Sequence, residues 1–113
     1  MALALNVFKT VTKVLSTSSV GIYTAPTGYT GVVLLAQAAN IGSDTQTVSF
    51  SHKRTSSGIA VTTEILKNYP ISGNDTANLL SGKLVLESND VLVLSASDSS
   101  NIKFIASILE TLN

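Results

Sequence analysis

Apolar and polar positions along this chain alternate in short bursts, with turn-forming clusters between them about every 8–15 residues. That spacing predicts a β-sandwich or barrel. The clearest burst is 79–97, LLSGKLVLESNDVLVLSAS. Leu84, Val85 and Leu86 precede the polar turn Glu87-Ser88-Asn89-Asp90, and Val91, Leu92, Val93 and Leu94 follow it. Strand-forming residues on both sides of a turn cluster predict a β-hairpin. The second strand is apolar on both faces, so it is expected under two layers, the outer one supplied by the domain's own second sheet or by another subunit.

The remaining pattern predicts further strands in order. Residues 7–15 form a first strand. Ahead of it Leu3, Leu5 and Val7 alternate with Ala4 and Asn6, as a backward extension of the strand, a short helix or an extended arm. Residues 20–25 form a second strand closed by Pro26-Thr27-Gly28. Residues 30–40 form a third, whose Val32-Val33-Leu34-Leu35 run reads as buried on both faces. In 45–54, Val48 and Phe50 point one way and Thr47, Ser49 and Ser51 the other. After a loop tip at 55–58, residues 59–67 place Ile59, Val61, Thr63 and Ile65 on one face. Residues 76–80 fit one helical turn capped by Asp75 or a short edge strand. The last strand, 102–112, aligns Ile102, Phe104, Ala106 and Ile108. About eight strands with short connections predict antiparallel pairing and a jelly-roll-like or Greek-key sandwich. Residues 1–15 read as an N-terminal arm or first strand, and 16–113 as the all-β domain.

Length and composition sharpen this. At 113 residues the chain is one domain, large enough to bury a core without metals or disulfides. It has no cysteine, which removes disulfides, thiolate zinc sites and thiol nucleophiles together. Only 12% of residues are charged, and seven basic side chains balance seven acidic ones. A typical domain carries ~25%. So few charges and no net charge favour association over colloidal solubility. A homo-oligomer is expected. No segment approaches the ~18–20 apolar residues of a membrane helix, and the start is a poor signal peptide, so folding in a cytoplasm is expected.

Candidate chemistry is sparse. His52 is the only histidine, in Ser51-His52-Lys53-Arg54, without the sequence context of an activated serine. It reads as a surface residue at a strand end, and no catalytic residue is assigned. Asp44, Asp75, Glu87, Asp90 and Asp98 sit in turns and suit Asx-turn chemistry. They are too few in any one loop to ligate calcium, so neither a metal nor a cofactor is expected. Lys53 and Arg54 form the densest basic cluster, too small for a nucleic-acid surface, and read as a loop cap or as partners of a neighbouring subunit. Tyr23 and Tyr29 flank Pro26-Thr27-Gly28. With Tyr69 they are the candidate stacking residues of a carbohydrate-binding, host-attachment module, although tyrosines packed at a turn are commoner.

Three segments together resemble a known family. They are Ile22 to Thr30 (IYTAPTGYT), the Gly73-Asn74-Asp75 turn, and GKLVLE at 82–87 leading into Asp90-Val91-Leu92. This order resembles small virion structural proteins of tailed bacteriophages, cyanophages included, and the match extends to a Ser107–Glu110 tail (SILE). The resemblance implies a compact β-sandwich without enzymatic activity, acting in the virion as a capsid decoration or cement protein. Its implied partners are further copies of itself, a trimer being the favoured oligomer, and other phage proteins such as the major capsid protein. A neck, tail or baseplate position is the alternative. Leu3, Leu5 and Val7, outside the matched core, are expected to contact a neighbour, together with Lys53 and Arg54.

Overall fold

A computed structural model describes residues 6–113 of the chain. Nine strands form two antiparallel sheets: β1 (Asn6–Val14), β2 (Val20–Thr24), β3 (Tyr29–Asn40), β4 (Gln46–Ser56), β5 (Ile59–Ile71), β6 (Asp75–Asn78), β7 (Leu84–Leu86), β8 (Val91–Ala96) and β9 (Ile102–Leu112). The first sheet runs β1-β9-β3, with β6 and β7 sharing the free edge of β3. The second runs β2-β8-β4-β5.

The pairings are nested. β1 pairs with β9, β2 with β8, β3 with β6 and β7, and β4 with β5. A chain paired this way is one long hairpin. Rolled up, it brings β9 beside β3 and β8 beside β4, as observed. This is the jelly-roll form of the sandwich. At the centre of the nest, Ser56 pairs with Ile59 around Ser57 (φ 52°) and Gly58 (φ 79°). Positive φ at both loop residues is the two-residue hairpin turn whose twist matches its strands.

The core lies between the sheets. Ile102, Phe104, Ala106 and Ile108 of β9 face Val48 and Phe50 of β4 and Leu92 and Leu94 of β8, all buried. The rings of Phe50 and Phe104 meet at 6.3 Å. The two-layer expectation for β8 is met on one face only. Leu92 and Leu94 are covered by the opposite sheet, whereas Val91 and Val93 point outward and are half-buried.

Two expectations are corrected and one alternative is decided. The segment 79–97 is no hairpin, because β7 pairs with β3 in the first sheet and β8 with β2 and β4 in the second. The turn between them crosses from layer to layer, since Leu86 and Leu92 must both enter the core. The Val32–Leu35 run is not buried on both faces. A bulge between Val33 and Leu35 switches the inward parity from Gly31 and Val33 to Ala36 and Ala38, and leaves Leu34 and Leu35 exposed. Of the two readings of 76–80, the short edge strand is the one observed, as β6 over Asp75–Asn78, paired with residues 37–40 of β3. Pro70 lies within β5, an edge strand where its missing amide is tolerated.

Candidate subunit interface

The two outer faces of the sandwich differ in chemistry. On the second sheet, Ser49, Ser51, Lys53, Thr62, Glu64 and Lys67 surround Val91 and Val93 in a shallow trough with both signs of charge. The first sheet carries an apolar row outside, flanked by uncharged polar residues such as Thr10, Ser107 and Thr111. Register aligns Phe8 with Leu109, Leu109 with Val32, and Val32 with Val85, one row across four strands. Their inward neighbours Ile108 and Leu86 are buried, so alternation turns this row to solvent. Phe8 is 75% exposed and Val85 54%. Leu34, Leu35, Ile105 and Val14 are exposed as well, although Ser107 stands between Leu109 and Ile105, and Thr10 and Thr12 between Phe8 and Val14. Monomers seldom leave so continuous an apolar surface uncovered.

A charged cluster sits where the inter-sheet turn meets the β4–β5 hairpin. Asp90 is buried, and its carboxylate accepts from Arg54 Nε at 3.0 Å and Nη2 at 2.7 Å. It also accepts from the Glu87 amide at 2.9 Å. His52 Nε2 lies 3.0 Å from Asp90 Oδ2, and since an ionised carboxylate only accepts, that nitrogen carries the proton. Arg54 reaches Glu87 as well, at 2.8 Å. The Arg54 guanidinium, helped by His52 and the Glu87 amide, outweighs burial and holds the Asp90 carboxyl down at about 2. The same pairing raises Arg54 above its usual value.

A second buried carboxylate ties the two sheets together. Glu110 on β9 accepts from the Tyr23 hydroxyl on β2 and lies 3.2 Å from Lys9 Nζ on β1. Gly31 stands opposite Glu110, and a Cβ there would come 3.2 Å from the Tyr23 hydroxyl, so the glycine makes room for the pair. Burial, followed by the hydrogen bond and charge of Glu110, raises the Tyr23 phenol well above its usual value. Removing that donor leaves Glu110 with Lys9 alone. Tyr23→Phe is expected to cost about 1–2 kcal/mol in urea unfolding, and an unchanged midpoint would contradict this account of the bond.

These placements bear on the sequence reading residue by residue. Asp90 does bond its own turn, as expected, but its ion pairs with Arg54 and His52 were not foreseen. They join residues 36 and 38 positions away, with no local signal. His52 is no surface residue: its side chain is 17% exposed against Asp90. Arg54 makes its ion pairs within the chain, while Lys53 stands in the trough of the second sheet. Tyr23 is in the core and cannot join a stacking platform. Tyr29 begins β3, whereas Tyr69 is two residues from Ile71, whose carbonyl accepts from Asn40 at the other end of β3. β3 is 12 residues long, roughly 35 Å of strand separating the two rings, so the three-tyrosine site does not assemble. Leu3 and Leu5 lie outside the described residues. Val7 is half-buried, and the outward apolar residue of β1 is its neighbour Phe8. Among the described residues no three His, Asp or Glu side chains are placed to hold a metal.

The fold and the surface define a jelly-roll sandwich with an apolar row across one outer face. No protein-family model and no curated protein matches the chain. Solved structures do. A chain in an acid-stable capsid of Helicobacter pylori bacteriophage KHP30 is 14% identical, with 96% of this chain and 89% of that one aligned at a TM-score of 0.55. An infectious bursal disease virus particle contains a chain 10% identical at 0.56; the match covers 97% of this chain but only 32% of that one, about a third of its length. A Bacillus endospore appendage, one of a family of disulfide-linked pili, is 12% identical at 0.52, covering 100% and 97%. At such identities the likeness shows the shared fold.

Proposed function

We propose that this chain is a non-enzymatic structural subunit of a tailed-phage virion, a decoration or cement protein that binds across joints of the capsid shell. The observation that carries this reading is the apolar row Phe8, Leu109, Val32 and Val85, presented on a sandwich whose core is complete without it. A capsid joint covers such a face at the cost of desolvating few charges, and the burial itself stabilises the joint. The fold supports the same reading, because it serves as a building block in two virus particles and a pilus. Lacking cysteine, this chain must hold its neighbours by packing, not by disulfides. His52, bonded to Asp90, acts as a structural residue.

The partners in this reading are further copies of the chain and the major capsid protein, in particles assembled in the host cytoplasm. Mass spectrometry of purified virions, separated into heads and tails, tests it. The expected result is hundreds of copies, all in the head fraction. Six or twelve copies in the tail fraction would make it a neck, tail or baseplate component. Absence from both fractions would end the virion reading.

A further inference from the structure

The trough on the second sheet has chemistry of its own. Its floor is β8 and β4, where Val93 stands opposite Ser51 and Val91 opposite Lys53. Gly21 on β2 keeps it open, since a Cβ there would come 2.9 Å from Val91 Cγ1. The space holds about 630 Å³. Small-ligand sites run from about 300 to 1,000 Å³. One residue in it is out of keeping with packing alone. Ser51 is 9% exposed, yet its hydroxyl makes no hydrogen bond among the described residues and opens into the trough. A buried polar group without a partner costs stability, and an alanine would fill the place without that cost. The charged groups are uncommitted too. Lys53, Glu64 and Lys67 form no ion pair among the described residues. Register orders them along the β4–β5 side: Lys53 opposite Thr62, Glu64 opposite Ser51, then Lys67 past the Leu66–Phe50 rung.

We infer that this trough binds a saccharide that carries a carboxylate, as a uronic acid does. The donor and acceptor set selects that class. Ammonium groups only donate, a carboxylate only accepts, and a serine hydroxyl does both. Sugar hydroxyls answer all three, and the C–H face of a sugar ring answers the half-buried Val91 and Val93 on the floor. Two ammonium groups against one carboxylate leave one positive charge for an acid group on the ligand. Other classes fit less well. An apolar ligand would desolvate Ser51 and Glu64 without pairing them. A small inorganic anion would sit against Glu64. A peptide adding as a strand needs a free sheet edge, whereas β8 is paired on both sides by β2 and β4, and β4 by β8 and β5. Single-stranded nucleic acid would look for aromatic platforms, and the trough has none. The inference goes beyond the structural-subunit reading and does not rest on it, because its test uses the purified chain.

The probe is a glycan array that holds uronic-acid oligosaccharides beside their neutral counterparts, with the strongest binder then titrated by calorimetry. The wild type is expected to retain the acidic oligosaccharides, with a dissociation constant of about 1 mM or tighter. Ser51→Ala is expected to bind at least about tenfold more weakly at an unchanged melting temperature, because the lost hydroxyl had no partner inside the chain. Lys53→Ala is expected to weaken binding as well, and as an exposed position it carries the test should Ser51→Ala fail to fold. Lys13→Ala removes an exposed lysine from the first sheet and is expected to leave binding unchanged. An array that retains no oligosaccharide, neutral sugars held as tightly as acidic ones, wild-type binding by Ser51→Ala, or an equal loss with Lys13→Ala would each overturn the inference.

Discussion

Replacing Asp90 by alanine is expected to destabilise the chain by about 2–3 kcal/mol, because a buried acceptor disappears and its donors lose the carboxylate they share. The Glu87 amide and the half-buried His52 nitrogen are left without it, and Arg54 keeps only exposed Glu87. Asp90→Asn separates charge from shape. The native carboxyl titrates at about 2 against an ordinary 3.8, which is worth roughly 2 kcal/mol of stability. The folded pKa is depressed, so this stability is fully present above about pH 4 and is lost as the pH falls through about 2. Urea midpoints of wild type and Asp90→Asn, measured from pH 7 down to pH 2, should therefore converge at the acid end. A gap of constant size would show that the Asp90 charge contributes nothing.

The strands were legible because each is a local statement. β8 alternates Leu92 and Leu94 against Val91 and Val93, and β9 places Phe104 two residues from both Ile102 and Ala106. Their arrangement was not legible locally. Glu87-Ser88-Asn89-Asp90 makes a tight turn, with Asn89 at a φ of 71°, but a tight turn can return a chain to its own sheet or cross to another. Only the need to bury both Leu86 and Leu92, with Ala25 bonding Asp90 and Asn89 across the gap, decides for crossing. The candidate surface was hidden in a different way. An apolar run such as Val32-Val33-Leu34-Leu35 states that something covers it, without saying what. Within one chain only Val33 of that run is fully covered, so the apolar excess that suggested a thicker core is on the surface. Of Leu3, Leu5 and Val7, read as contact residues, only Val7 lies among the described residues, half-buried; the exposed apolar residue of β1 is Phe8, one position on and therefore on the other face.

Two phenylalanines make the division between core and contact surface measurable. Phe50 is fully buried between the sheets, its ring against Phe104. Phe50→Ala removes a large side chain from a site bounded by both layers, which cannot close over the space without moving a whole sheet. The expected loss is about 3–5 kcal/mol, seen as a urea midpoint lower by at least about 1 M at unchanged slope. A loss under about 1 kcal/mol would mean that the sheets do not pack through this residue. Phe8 lies on the opposite side of the first sheet, 75% exposed. Phe8→Ala is expected to change monomer stability by no more than about 0.5 kcal/mol while weakening self-association measured by sedimentation. The same substitution at two rings thus separates what folds the chain from what joins its copies. If Phe8→Ala left assembly intact, the apolar row would lose its most exposed member as a contact residue, and the joint would have to be sought elsewhere on the sandwich.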